Sequence, residues 1–79
     1  MEIHFPANFQ YIMSEKTYHS TQEMKILDDG TVAITMNVSP DDFMVQWILQ
    51  WGDKATVVKP KTLIKKLHET GKELLSKYS

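Results

Sequence analysis

QEMKILDDGTVAITMNV, residues 22–38, decides how this chain folds. Val32, Ile34, Met36 and Val38 alternate strictly with Thr31, Ala33, Thr35 and Asn37, which is the two-residue period of a strand with one buried face. Gln22 to Leu27 reads as its partner strand. Between the two, Asp28-Asp29-Gly30 reads as a tight turn, because Asp-Gly supplies the positive φ angles a hairpin connection needs. The second strand then turns an apolar row inward and a small, polar row outward.

Toward the N-terminus, Met1 to Phe5 alternates Glu2 and His4 with Ile3 and Phe5 and stops at Pro6, which predicts a first strand. Ala7 to Glu15 then sets Phe9, Ile12 and Met13 at helical spacing, so the period changes at the proline and a helix follows. Toward the C-terminus, Ser39-Pro40-Asp41-Asp42 predicts a helix start. Ser39 is its N-cap, Pro40 its first helical residue, and Asp42 is placed to complete a capping box. Phe43, Met44, Trp47, Ile48 and Trp51 form a broad apolar stripe, widened by Val45 and Leu49, and Gly52 sits where a left-handed C-terminal cap belongs. Ala55 to Val58 is a short β-branched run closed by Pro60. Leu63, Ile64, Leu67, Leu74, Leu75 and Tyr78 mark a final helix, weakened by Gly71 at a cost of about 1 kcal/mol against alanine.

The order β-α-β-β-α-β-α implies an α+β fold, a ferredoxin-like βαββαβ sandwich with an additional C-terminal helix. A chain of 79 residues supports one such core and not two, so residues 1–79 are read as a single domain. With 42% apolar and 24% charged residues the composition is that of an ordinary globular domain. There is no cysteine, which excludes a disulfide framework and a thiolate metal site. Apolar runs are broken by charge well short of a membrane span, and no signal-peptide layout opens the chain. A soluble, cytoplasmic location is expected.

Every basic residue is a lysine, nine against ten acidic residues, for a net charge of −1. Arginine is the fork that reads guanine edges and clamps phosphates, so direct duplex DNA binding by this domain alone is not expected. The same absence removes an arginine phosphate cradle for acyl-phosphate hydrolysis. RNA recognition on a sheet needs stacking rings, and this sequence offers Ala33 and Thr35 there. His4, His19 and His68 fall on different elements without zinc spacing, so no metal is expected. Adjacent Asp28 and Asp29 are accounted for by turn chemistry, and Trp47 and Trp51, one helical turn apart, by core packing. No catalytic residue and no cofactor emerge, and the chain is read as a non-enzyme. Lys59 and Lys61, with Lys65 and Lys66, gather at the start of the last helix. They form a candidate anion site, with a solvated lysine face as the alternative.

The run Tyr18-His19-Ser20-Thr21-Gln22, the hairpin Asp28-Asp29-Gly30, Trp47-Ile48-Leu49-Gln50-Trp51-Gly52 and Val57-Val58-Lys59-Pro60 follow one another in an order that spans most of the chain. This pattern resembles the C-terminal extension (WCX-type) domain of WYL-domain-containing bacterial transcription regulators. Ser20-Thr21 stands where the family usually has Pro-Ser, and Lys59 and Lys61 flank a proline whose surroundings are typically acidic. The resemblance implies an effector-sensing and dimer-assembly domain, not itself the DNA-reading part. It also implies partners: a WYL domain and a helix-turn-helix domain in the same parent chain, a homodimer, and a small-molecule or nucleotide effector, with no membrane. Trp47-Ile48-Leu49 belongs to the helical stripe and is not the Trp-Tyr-Leu strand motif.

Within the resemblance, effector contact is expected from Tyr18, His19 and Gln22. They place a ring, an imidazole and an amide close together before the second strand, without an apolar period to explain them. The alternative is that His19 and Gln22 cap or bridge backbone groups. A second class of function also remains open, a free-standing ferredoxin-like small-molecule-binding module that dimerises through its sheet.

Overall fold

The computed structural model describes every residue except Lys16, Pro40 and Ser79. Strand β1 (Glu2–Phe5) leads through a 3-10 turn, Ala7–Phe9, into helix α1 (Gln10–Glu15). The hairpin follows as β2 (Glu23–Ile26) and β3 (Val32–Thr35), then helix α2 (Asp42–Leu49) and a second 3-10 turn, Gly52–Lys54. Strand β4 (Thr56–Lys59) and helix α3 (Lys61–Tyr78) complete the chain. The fold is α+β. Four antiparallel strands lie in the order β2-β3-β1-β4, so the first strand of the chain is central and flanked by β3 and β4.

The inward row predicted for β3 is the core. Val32 and Ile34 sit opposite Phe5 and Ile3 of β1, and all four are fully buried. Met13 of α1, Met44, Val45 and Ile48 of α2, and Leu63 of α3 close over this one face of the sheet. Burying each such side chain stabilises by about 1.5–3 kcal/mol, which makes this layer the main support of the domain. The β1–β3 ladder runs one pair beyond the strands: Met36 donates its N–H to the Met1 carbonyl at 2.9 Å, and the Met1 amino group donates back to the Met36 carbonyl at 2.8 Å. The opposite face carries Glu2, His4, Glu23, Lys25 and Thr35 by alternation from the buried row.

Four local expectations are corrected. The hairpin turn takes a positive φ at Gly30 alone, +91°, with Leu27 N–H bonded to the Thr31 carbonyl and Gly30 N–H to the Leu27 carbonyl, both at 2.9 Å. This is a type I turn closed by a left-handed glycine, so Asp29 keeps an ordinary conformation. A side chain at residue 30 would also meet the Ala7 Cβ at 3.3 Å. Second, helix α2 is capped by Asp41 and not Ser39. The Asp41 carboxylate accepts the Met44 N–H at 3.0 Å from an extended backbone, φ −101° and ψ −178°. The expected place of Pro40 lies outside the described residues. Third, Phe43 is on the predicted apolar stripe yet 71% exposed. Its period is helical, but none of the described elements covers that side of the first turn. Fourth, Gly52 is left-handed as predicted, φ +61°, but it opens the 3-10 turn after Leu49 has ended the helix.

Gly71 does not interrupt α3, which runs from Lys61 to Tyr78. Only the first half of α3 packs on the domain. Leu63 is buried and Leu67 half-buried, whereas Leu74, Leu75 and Tyr78 are exposed.

Candidate functional site

The hairpin register decides which residues meet at the end of the sheet. Glu23 pairs with Thr35, so the residues just before β2 run back alongside those just after β3. The Asn37 N–H donates to Thr21 Oγ1 at 2.8 Å, which ties the two segments together. Helix α2 begins directly beyond. Between these pieces lies a cleft of about 400 Å³ whose walls include Tyr18, His19, Asn37, Ser39, Asp41 and Phe43.

Tyr18 forms the inner wall. Its ring stands edge-on to Trp47 with centroids 5.1 Å apart and to Trp51 at 6.2 Å. The ring contacts continue through Trp47–Trp51 at 5.9 Å, Phe5–Trp51 at 5.7 Å and Phe9–Trp51 at 6.0 Å, all edge-on. Tyr18 is therefore held by a cluster that reaches β1, the 3-10 turn and α2. Trp51 touches four rings and Trp47 two, so Trp51 is the hub. The indole N–H groups of Trp47 and Trp51 are both buried without a hydrogen-bond partner, an arrangement that costs about 1–3 kcal/mol per donor.

His19 and Gln22 shape the loop that carries Tyr18. The Tyr18 N–H donates to Gln22 Oε1 at 2.8 Å, and the Gln22 N–H donates to the His19 carbonyl at 3.1 Å. The Thr21 N–H donates to His19 Nδ1 at 3.1 Å, with Thr21 Oγ1 2.7 Å from the same nitrogen. An amide N–H can only donate, so Nδ1 carries the lone pair and Nε2 is the ring donor. Tyr18 and His19 line the cleft, whereas Gln22 stands behind it and braces the Tyr18 backbone.

Lys59 and Lys61 do not line this cleft. Lys59 ends β4, where its Nζ lies 3.9 Å from Glu2 Oε1, and Glu2 Oε2 in turn meets His4 Nε2 at 2.6 Å. Lys61 is exposed at the first residue of α3. Asn37, Ser39, Asp41 and Phe43, with the backing Val38 and Met44, are cleft residues that reading the sequence missed. The signal was present: extending the hairpin pairing by two and four residues sets Thr21 against Asn37 and His19 against Ser39.

Ser39, His19 and Asp41 share the cleft but do not form a nucleophile triad. His19 Nδ1 is committed to Thr21 and Asp41 Oδ1 to the Met44 N–H, and among the described residues no hydrogen bond joins Ser39 to His19. Among the described residues no group of three or more His, Cys, Asp or Glu is placed to hold a metal. None of the described helices is long and apolar enough to cross a membrane.

The family model for the WCX domain matches residues 3–75, from the first core residue of β1 to near the end of α3. The chain belongs to the WCX family. Among curated proteins none matches it. In this WCX domain the Tyr18 to Gln22 run is thus the loop that walls a cleft, the Asp28-Asp29-Gly30 turn closes the hairpin at the far end of the same strands, and Trp51 gathers the rings behind Tyr18.

Proposed function

We propose that this WCX domain is the effector-sensing and dimer-assembly part of a WYL-type bacterial transcription regulator, and not the part that reads DNA. It works by binding, without catalysis or a cofactor. One observation carries the reading: Tyr18 and His19, from the run that marks the family, line a single cleft with Asn37, Ser39, Asp41 and Phe43. An exposed aromatic ring, an imidazole, an amide, a hydroxyl and a carboxylate around about 400 Å³ suit a small ring-bearing molecule. Among the described residues no lysine lines the cleft, and the Asp41 carboxylate there favours a ligand that presents N–H donors. The absence of arginine and the net charge of −1 support assigning DNA contact to another part of the regulator. The strand order β2-β3-β1-β4, with the helices on one face, supports naming the fold ferredoxin-like, with α3 as the added helix.

The test is made in the regulator. His19→Ala and Phe43→Ala are expected to weaken the effector response while lowering the melting temperature of this domain much less than a core truncation does, since Phe43 is exposed and the half-buried His19 ring bonds only to Thr21 within its own loop. Val45→Ala, in the core, serves as the control for lost stability. A normal response in both cleft variants, or a defect no larger than that of Val45→Ala, would overturn the site.

A further inference from the structure

We infer that the free edge of β2 is the surface on which a second copy of this chain docks, pairing β2 with β2 antiparallel so that Glu23 faces the partner's Lys25 and Lys25 faces the partner's Glu23. This deepens the assembly role proposed above and rests on it.

β2 is an outer strand of the sheet, and all its residues are exposed. Its backbone alternates. Leu27 N–H bonds to the Thr31 carbonyl, so the odd-numbered residues of β2 turn their polar groups toward β3, and Met24 and Ile26 turn theirs outward. Unpaired backbone of this kind is a template for another strand. The side chains alternate as well. Glu23 and Lys25 lie on the open face, and neither has an ion-pair partner among the described residues. Met24 and Ile26 lie on the helix-covered face, 38% and 39% exposed, where α1 beside them also exposes Tyr11 and Ile12.

These two alternations restrict the register. A two-fold antiparallel pair must set even residues opposite even residues, or the outward-facing backbone groups miss and the apolar row changes face. Centring on Glu23 opposes two carboxylates, and centring on Lys25 opposes two ammonium groups. Centring on Met24 gives two Glu–Lys pairs on one face and Met24 against its own copy on the other. That register brings the α1 helices of the two copies to the same side, where Tyr11 and Ile12 extend the apolar contact. The edge is therefore self-complementary in charge, polarity and hydrogen bonding. Packing the two open sheet faces together would instead desolvate Glu2, His4, Glu23, Lys25 and Lys59.

Sedimentation velocity on the 79-residue chain over a concentration series tests the pairing. The chain is expected to dimerise. Lys25→Glu or Glu23→Lys alone should weaken the dimer about tenfold or more, because two facing pairs turn from attractive to repulsive at once. An equal mixture of the two single variants should dimerise again, since each chain then faces opposite charges at both positions, and the double variant E23K/K25E should recover the parent affinity. Circular dichroism of each variant shows that it is folded. Dimers indifferent to these reversals would overturn the edge while leaving the assembly role standing. A parent chain that stays monomeric at every concentration would overturn both and leave Glu23 and Lys25 as guards of a lone edge.

Discussion

Trp51→Ala should unfold this domain more readily than any other single change on the α2 stripe. Trp51 contacts the rings of Phe5, Phe9, Tyr18 and Trp47, so truncation opens a gap where β1, the first 3-10 turn, the loop before β2 and α2 meet. Large-to-small replacement of a buried aromatic costs about 3–5 kcal/mol. Two features reduce the figure: Trp51 is only half-buried, and its removal also removes a buried indole N–H that has no partner. The expected net loss is about 3 kcal/mol, a large share of the roughly 4–12 kcal/mol that a domain of this size holds. At about 4–8 °C per kcal/mol, the melting temperature should fall by about 12–24 °C. Urea unfolding followed by far-UV circular dichroism reads the change without relying on the indole that was removed. Trp51→Phe, which keeps a ring and deletes the orphaned donor, should lose less than about 1 kcal/mol. Phe43→Ala should lose less than about 0.5 kcal/mol, because its ring is 71% exposed. A Trp51→Ala variant as stable as the parent, or a Phe43→Ala variant equally damaged, would refute the ring hub.

Other outcomes follow from single contacts. Asp41→Ala should destabilise by about 1 kcal/mol in thermal or urea unfolding and Ser39→Ala by much less, because Asp41 is the residue that receives the Met44 N–H. The Thr31 backbone N–H bonds Asp29 Oδ1 at 2.9 Å, and with the Thr31 side chain it holds the Asp29 carboxyl below the ordinary carboxylate range. Its contribution is then complete above the unfolded value near about 3.9 and is lost as pH falls through the lowered folded value. Asp29→Asn should accordingly flatten part of the fall in melting temperature below about pH 4. In fluorescence anisotropy at physiological salt the domain should show no sequence-dependent duplex binding tighter than about 1 μM.

The hairpin was legible because the large apolar residues of β3 keep one period, with the small Ala33 buried on the other face. Val32, Ile34 and Met36 point inward along a strict two-residue period, and the register they impose ordered the rest of the sheet. The cap of α2 was misread because Ser39 and Asp41 both suit an N-cap, and the choice between them depends on where the chain leaves β3, a tertiary matter. Phe43 was misplaced for a related reason: periodicity names a helix face but not whether anything lies against it. The ring cluster joins residues 5, 9, 18, 47 and 51, whose separation in sequence hides a contact that only the closed sheet creates. Tyr18 and His19 were named by residue type, and the structure places both on one cleft; the hydrogen bonds of His19 and Gln22 are those of the backbone-bridging alternative, His19 accepting the Thr21 N–H and Gln22 the Tyr18 N–H.

Titration of the isotopically labelled chain with a panel of mononucleotides and small ring-bearing metabolites, followed by amide chemical shifts, reads effector binding at the Tyr18 cleft residue by residue. Binding there should give saturable shifts confined to Tyr18, His19, Asn37, Ser39 and Phe43, with the Asp28–Gly30 turn silent. Shifts confined to the open sheet face around Lys25, Ala33 and Thr35, or none at any residue across the panel, would contradict it.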